Sequence, residues 1–221
     1  MRVLVVGATG GSGRAAVAAL LAEGHEVTAF ARRAGEVFGG RDDVRPVDGD
    51  ATSAADVDRA VRGQDAVVVT LGIAESALRV RLRGSRGTPL DVRSRGTATV
   101  VAAMQRHGAR RLVVQSSYGV GETRSLLPFS SRLVFALVLR PQIADHEEQE
   151  RIVRASGLDW TLVQPVYLTD GDEPAAVSTT GGTETMTVSR RAVGGVLARL
   201  AAGGDDVGRC VSVSGAALVA A

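Results

Sequence analysis

An α/β protein with a doubly wound, mostly parallel sheet is what this sequence predicts, on three observations. Short β-branched runs alternate with amphipathic stretches along the chain. Signals for two-residue hairpins are few, so consecutive strands must be joined by helical crossovers that cover both faces of a parallel sheet. Four glycines crowd the point where the first apolar run meets the first amphipathic one, in "GATGGSG". The 221 residues and 22.8 kDa suit one domain spanning residues 1–221. No internal repeat, low-complexity tract or linker divides it.

Taken in order, "RVLVV" is a buried strand, residues 12–23 a helix ended by Gly24, and "EVTAFAR" the second strand, which together make one βαβ unit. "DVRPVDGD" supplies a third strand. Residues 53–62 form a helix that opens on the capping-box pattern "SAAD" and stops at Gly63. "DAVVVTLG" is the fourth strand. Thr88, Pro89 and Asp91 combine an N-cap, a first-turn proline and an acidic third position, so a long helix is expected from there to His107, with Gly108 ending it. "RRLVVQSS" is the fifth strand, residues 141–155 a helix closed by Gly157, and "DWTLVQP" the sixth strand. Residues 190–202 and "RCVSVS" give a last helix and strand. The long connections over 72–87 and 118–131 follow strand C-terminal ends, where open α/β sheets bind ligands. Substrate contacts are expected from segments 72–87, 118–140 and 166–188.

Composition excludes several classes. Apolar residues at 45% and charged residues at 23% are ordinary for a globular chain. There is no lysine, so all 26 basic residues are arginine, and the formal net charge is only +2, which argues against a nucleic-acid partner. Cys210 is the single cysteine, which rules out an internal disulfide, and its place in "RCVSVS" suggests a small buried strand residue. Three scattered histidines lack metal-ligand spacing, so no metal site is expected. Apolar runs such as "LVFALVL" fall short of the roughly 20 residues of a membrane span. Strand sequence begins at Arg2 without a leader pattern. A cytoplasmic protein, monomeric or homodimeric and without a membrane partner, is the expectation.

The glycine-rich turn carries the first functional reading. Gly7, Gly10 and Gly13 stand in a GxxGxxG spacing between strand and helix, with Gly11 beside them. Such a turn brings backbone close to a pyrophosphate and aims the unpaired N–H groups of a helix N-terminus at it. Alone the motif is weak, but an apolar strand before it and an amphipathic helix after it meet its context condition for a Rossmann fold. After the second strand come Arg32 and Arg33, not the acidic residue that would bind a free ribose hydroxyl, and a guanidinium suits a 2′-phosphate. NADP(H) is therefore the expected cofactor, with a pair of solvated arginines as the alternative. Asp50 suits the adenine amino group or, equally, the cap of the next helix.

These residues resemble the atypical short-chain dehydrogenase/reductase superfamily, within it the NmrA-like NAD(P)H-binding proteins and most of all the flavin reductase/biliverdin IXβ reductase-like group. "GATGGSG", Gly49-Asp50, "ADVDRAVRGQDAVVVTLG", "GTATVVAAMQRHGARRLVVQSS" and "HEEQERIVRASGLDWTLVQP" carry the likeness over most of residues 1–170. The resemblance implies that Gly7, Thr9, Gly10, Gly11, Ser12 and Gly13 hold the pyrophosphate, Arg32 with Arg33 the 2′-phosphate, and Asp50 with Ala51 the adenine. Leu71, Gly72 and Ser116 would line the cofactor, with Ser117, Pro165 and Tyr167 beside the nicotinamide. Tyr167 stands where the flavin reductases carry a histidine and His146 where many bacterial relatives carry a lysine, and the tail after Asp170 aligns poorly.

Without lysine the Tyr-x-x-x-Lys proton device of most short-chain dehydrogenases cannot exist here. A phenol near its ordinary pKa of about 10 is a poor proton shuttle at neutral pH. A conjugated acceptor such as a flavin, tetrapyrrole or quinone takes hydride at a ring position and its proton from water, so positioning carries most of the rate. Ser117 is the first candidate for a polar contact at the reacting centre, with Tyr118 and Tyr167 as alternative donors or pocket walls. His146 opens the charged helix "DHEEQER" and is read either as a site residue or as a solvated one. The arginine-rich stretch over 78–87 suits an anionic substrate or an exposed loop, and "LLPFSSRLVFALVL" an apolar substrate pocket or a subunit contact. Two other readings stay open: a non-catalytic NADP(H) sensor of NmrA type, and a biosynthetic reductase or isomerase on the same scaffold.

Overall fold

A computed structural model of the chain describes residues 1–73, 87–127 and 140–216. The arginine-rich stretch over 78–87, Gly87 apart, and the "LVFALVL" run lie outside the described residues.

Strands β1 (Arg2–Val6), β2 (Glu26–Ala31), β3 (Val44–Asp48), β4 (Ala66–Val69), β5 (Arg111–Gln115), β6 (Asp159–Pro165), β8 (Ala175–Ser178) and β10 (Arg209–Gly215) form one sheet in the order β3-β2-β1-β4-β5-β6-β10-β8. Every pairing is parallel except that of β8 with β10. Helices cover both faces. Val3 and Val5 of β1 pack toward α1 (Gly11–Ala22) and α6 (Arg190–Ala202), while Leu4 and Val6 pack toward α3 (Ala54–Val61), α4 (Val92–His107) and α5 (Arg140–Arg154). Period-two alternation on a strand buried on both sides thus feeds two cores. Strand order reverses between β1 and β4, and the C-terminal ends of those strands flank the crevice where such sheets take ligands.

Several local expectations change. α2 (Ala34–Phe38) was not anticipated; five residues hold too little periodicity to announce a helix. The helix expected from Thr88 begins at Val92 instead. Its Asp91 N-cap makes no side-chain hydrogen bond, and the first turn is capped from outside by Asp145 of α5, which accepts from the N–H groups of Arg93 (3.1 Å) and Ser94 (3.0 Å). The "SAAD" box closes in an altered form. Ser53 Oγ accepts from Asp56 N–H at 3.4 Å, but Asp56 Oδ2 reaches past Ser53 to the N–H of Asp50 (3.1 Å). In the segment after residue 166 the chain makes β7 (Tyr167–Thr169) and β9 (Thr187–Ser189), a separate parallel pair. The buried Arg111 donates to Leu200 O (2.9 and 2.6 Å) and so satisfies a carbonyl near the end of α6.

Candidate functional site

The turn between β1 and α1 is built from contacts that only glycine allows. Gly7 has φ +85°, and a Cβ there would stand 2.8 Å from Thr70 O. A Cβ on Gly13 would stand 2.3 Å from Gly7 O and 2.9 Å from Ala8 Cα. The first turn of α1 is thereby pressed against the end of β1, while Gly10 and Gly11 face outward. Gly7 and Ala8 N–H both donate to Phe30 O (2.9 and 3.2 Å), fixing the turn to β2. Arg14 N–H is the first to reach a carbonyl of the helix, Gly10 O at 2.8 Å, so the N–H groups of Gly11, Ser12 and Gly13 precede the helical ladder. Thr9 contributes its carbonyl to Arg14 Nε (2.9 Å), and Ser12 is buried. The arrangement can take an anion by charge: the amino end of a 12-residue helix supplies the partial positive charge, and the Arg190 side chain lies against Gly11, where a Cβ would stand.

At the tip of β2 the two arginines part company. Arg32 donates to Gly87 O and to Thr88 Oγ1 (3.1 Å), both neutral acceptors, and it makes no ion pair among the described residues. Arg33 turns away to Glu36 at 3.4 Å, where both side chains are well exposed. Asp50 bends back on its own chain, its Oδ1 accepting from Thr52 N–H and Oγ1 at 2.8 Å each. Ala51 is buried, and a Cβ on Gly96 of α4 would strike Leu71 Cδ1 at 2.4 Å and approach Ala51 at 3.3 Å. Ala51, Leu71 and Gly96 thus form one small apolar wall beside the exposed Gly72.

The residues expected near the reacting centre occupy unequal positions. Ser116 is buried and donates to Glu150 Oε1 at 2.6 Å. Gln164 Nε2 donates to the same oxygen (2.8 Å). Ser117 is half-buried and its hydroxyl makes only a 3.3 Å contact to Tyr118 O. Tyr118 is 5% exposed and donates its hydroxyl to Gly181 O (3.1 Å). Pro165 is buried at the end of β6, and Tyr167, two residues on, is 76% exposed. His146 keeps Nδ1 buried, and its ring pairs with the Gln149 side chain. Burial, aided by the nearby Arg93 guanidinium, lowers its pKa to about 3, so the imidazole is neutral at physiological pH.

Sequence reasoning passed over Arg93, Asp145, Gln149 and Glu150, all buried. Asp145, Gln149 and Val153 recur at i, i+4 and i+8 and share the buried side of α5. That stripe was the available signal, masked by the charge of "DHEEQER". Among the described residues no group of His, Cys, Asp and Glu has metal-site geometry, and no helix is long and apolar enough to cross a membrane. A shallow concavity lined by Glu23, Ala175, Val177 and Arg199 lies at the opposite end of α1 from the glycine turn.

Comparison with known proteins agrees with this geometry. The profile of the NAD(P)H-binding family matches residues 7–203. Sterol demethylase protein B of Methylococcus capsulatus is 33% identical over 182 residues, covering 76% of this chain and 52% of its own length. A 3-diazoavenalumate denitrifying reductase of a Streptomyces species is 36% identical over 131 residues, covering 52% of this chain and 38% of its own length. The chain therefore spans about half or less of these curated relatives. Among solved structures, an anaerobillin reductase from Escherichia coli O157:H7 superposes with a TM-score of 0.77 at 22% identity over the full length of both chains. A short-chain dehydrogenase/reductase from Veillonella parvula in complex with NADP gives 0.77 at 17% identity, covering 96% of this chain and 94% of its own.

Proposed function

The chain belongs to the NAD(P)H-binding family, and from that premise we propose that it is an NADPH-dependent oxidoreductase acting on a conjugated small-molecule acceptor. The observation that carries the reading is the glycine turn: Gly13 has no room for a Cβ, and the N–H groups that precede the helical ladder of α1 follow directly on the C-terminal end of β1. Gly11, Ser12 and Gly13 would offer N–H groups to the pyrophosphate, with Gly7, Thr9 and Gly10 shaping the turn around it. Arg32 is the better reader of a 2′-phosphate than Arg33, because its present partners are neutral and leave its charge uncompensated, whereas Arg33 already faces Glu36. Ala51 with Asp50 would flank the adenine, and Leu71 and Gly72 would border the middle of the cofactor.

When bound, NADPH supplies a hydride. The chain's own task at the other end of the crevice is to position the acceptor, with Ser117 and Tyr167 the hydroxyls free to turn toward it. Tyr118 is better placed as a pocket wall, since its hydroxyl is spent on Gly181. With no lysine to lower a phenol's pKa, an acceptor that draws its proton from water suits this site better than a simple alcohol. The reductases named among its relatives support the same class of chemistry. Purified protein incubated with NADPH and a panel of FMN, riboflavin, biliverdin and quinones is expected to consume the reduced nicotinamide absorbance with at least one acceptor. Silence across the panel, with cofactor binding intact, contradicts the reading.

One observation favours a second reading, a non-catalytic NADP(H) sensor. The one hydroxyl near the end of β5 aligned on a carboxylate among the described residues, Ser116 on Glu150, is buried, while Ser117 faces a carbonyl and Tyr118 is tied down. Equal affinity for the oxidised and reduced cofactor without turnover would decide for it.

A further inference from the structure

Arg93 stands in the first turn of α4, at the end of the helix that meets the C-terminal edge of the sheet. Its side chain is 8% exposed and that of its partner Asp145 3%. A pair buried this deeply is expected to be tight and bidentate. It is neither. The only contact is Arg93 Nη1 to Asp145 Oδ2 at 3.5 Å. The carboxylate is committed elsewhere, accepting from the N–H groups of Arg93 and Ser94 and from Ser94 Oγ at 2.6 Å. It caps the helix, and the guanidinium receives what is left.

The opposite edge of the guanidinium is unanswered. Nε is buried without a partner, and Nη2 makes no hydrogen bond to a described residue. That Nη2 lies 3.7 Å from the position a Cβ on residue 72 would take, and residue 72 is an exposed glycine. His146, on the α5 face that packs on this helix, lies near enough to feel the Arg93 charge and is paired with the Gln149 side chain. Removing a guanidinium from water and leaving its Nε donor empty is costly unless a ligand completes the set. Parallel N–H groups on one edge match the two oxygens of a carboxylate.

We infer that the Nε–Nη2 edge of Arg93 anchors a carboxylate carried by the acceptor. The inference rests on the reductase reading and narrows its substrate class to carboxylated conjugated molecules. The cofactor's own phosphates have their candidate seats on α1 and at the tip of β2, while Arg93 belongs to the helices of the other face. Gly72, three residues past the end of β4, puts no side chain beside Nη2.

The test uses the full chain, cinnamate as the probe and cinnamamide as its uncharged counterpart, followed by the imidazole signals of the three histidines. Titrations are run with and without saturating NADP+, whose own affinity is measured in each sample. Cinnamate is expected to move the His146 signal saturably, cinnamamide to leave it unmoved at the same concentration, and Arg93→Gln to weaken the cinnamate response roughly tenfold or more. Arg93→Lys, which keeps the charge and loses the two-point contact, is expected to fall between them and decides the matter if the glutamine variant does not fold. An equal response to cinnamamide, or an unchanged cinnamate affinity in either variant, overturns the inference. A parallel loss of NADP+ affinity would assign the edge to the cofactor and overturn it too. Failure of the wild-type chain to bind NADP+ at all would instead remove the reductase reading, so the two failures are distinct.

Discussion

Arg32 and Arg33 are adjacent and chemically identical, yet the fold gives them different electrostatic company. Arg32 faces a carbonyl and a hydroxyl, Arg33 a carboxylate. A 2′-phosphate adds charge-assisted hydrogen bonds only where the cation is not already neutralised. Arg32→Asp is therefore expected to weaken NADPH binding by about 1.5–3 kcal/mol, with a much smaller effect on NADH; calorimetric titration of both cofactors checks this, and equal losses would contradict it. His146 sets a second prediction. Its folded pKa of about 3 lies below the unfolded value of about 6.5, so the unfolded chain binds the extra proton as pH falls through that window. Stability should thus be full above pH ~6.5 and decline by roughly 2 kcal/mol by pH ~5, and His146→Gln should flatten that slope in urea unfolding series. Arg32 as the candidate reader was legible in the sequence, but the burial of His146 was not, since it read equally well as solvated. Burial depends on which face of α5 meets α4, and a helix this rich in charge conceals that face.

At the scale of elements, α4 and α5 hold each other through one carboxylate. Asp145 caps the first turn of α4 and is the only acidic partner of Arg93 among the described residues. Asp145→Ala should cost about 3–5 kcal/mol, because it strands a buried cation and uncaps a helix together; a smaller loss in chemical denaturation would show that the first turn finds other partners. β10 carries a related prediction. Burial pushes the Cys210 thiol up to about 12 even though Arg154 Nη2 stands 2.8 Å from Sγ, so almost no thiolate forms at mildly alkaline pH. Iodoacetamide should label Cys210 only after unfolding, and rapid native labelling would contradict its placement. Long elements with a clear period were legible: residues 12–23 and 190–202 were expected as helices and emerged as α1 and α6 to within one residue. The strands β7, β8 and β9 were not, because three or four partly exposed residues among glycines and threonines carry no period. Outside capping from α5 likewise left no trace near residue 88, where local signals alone suggested an earlier start.

Across the whole molecule, the alternation of strands and helices announced the parallel sheet and the glycine turn its proposed ligand edge, since both depend on patterns within about 30 residues. The antiparallel β8 at the far edge and the buried Arg93–Asp145 pair depend on contacts between distant segments, and so became visible only in three dimensions. The central claim is that the missing Cβ of Gly13 lets the amino end of α1 pack against the end of β1, and that the N–H groups held there receive a pyrophosphate at the crevice between β1 and β4. Calorimetric titration of wild type and Gly13→Ala with NADPH tests it most directly. The account predicts saturable heat for the wild type and its loss in the variant, with overpacking costing the fold about 1–3 kcal/mol in a parallel unfolding measurement. Wild-type protein that gives no heat with NADPH or NADH, or a folded Gly13→Ala that binds as tightly as wild type, would contradict it.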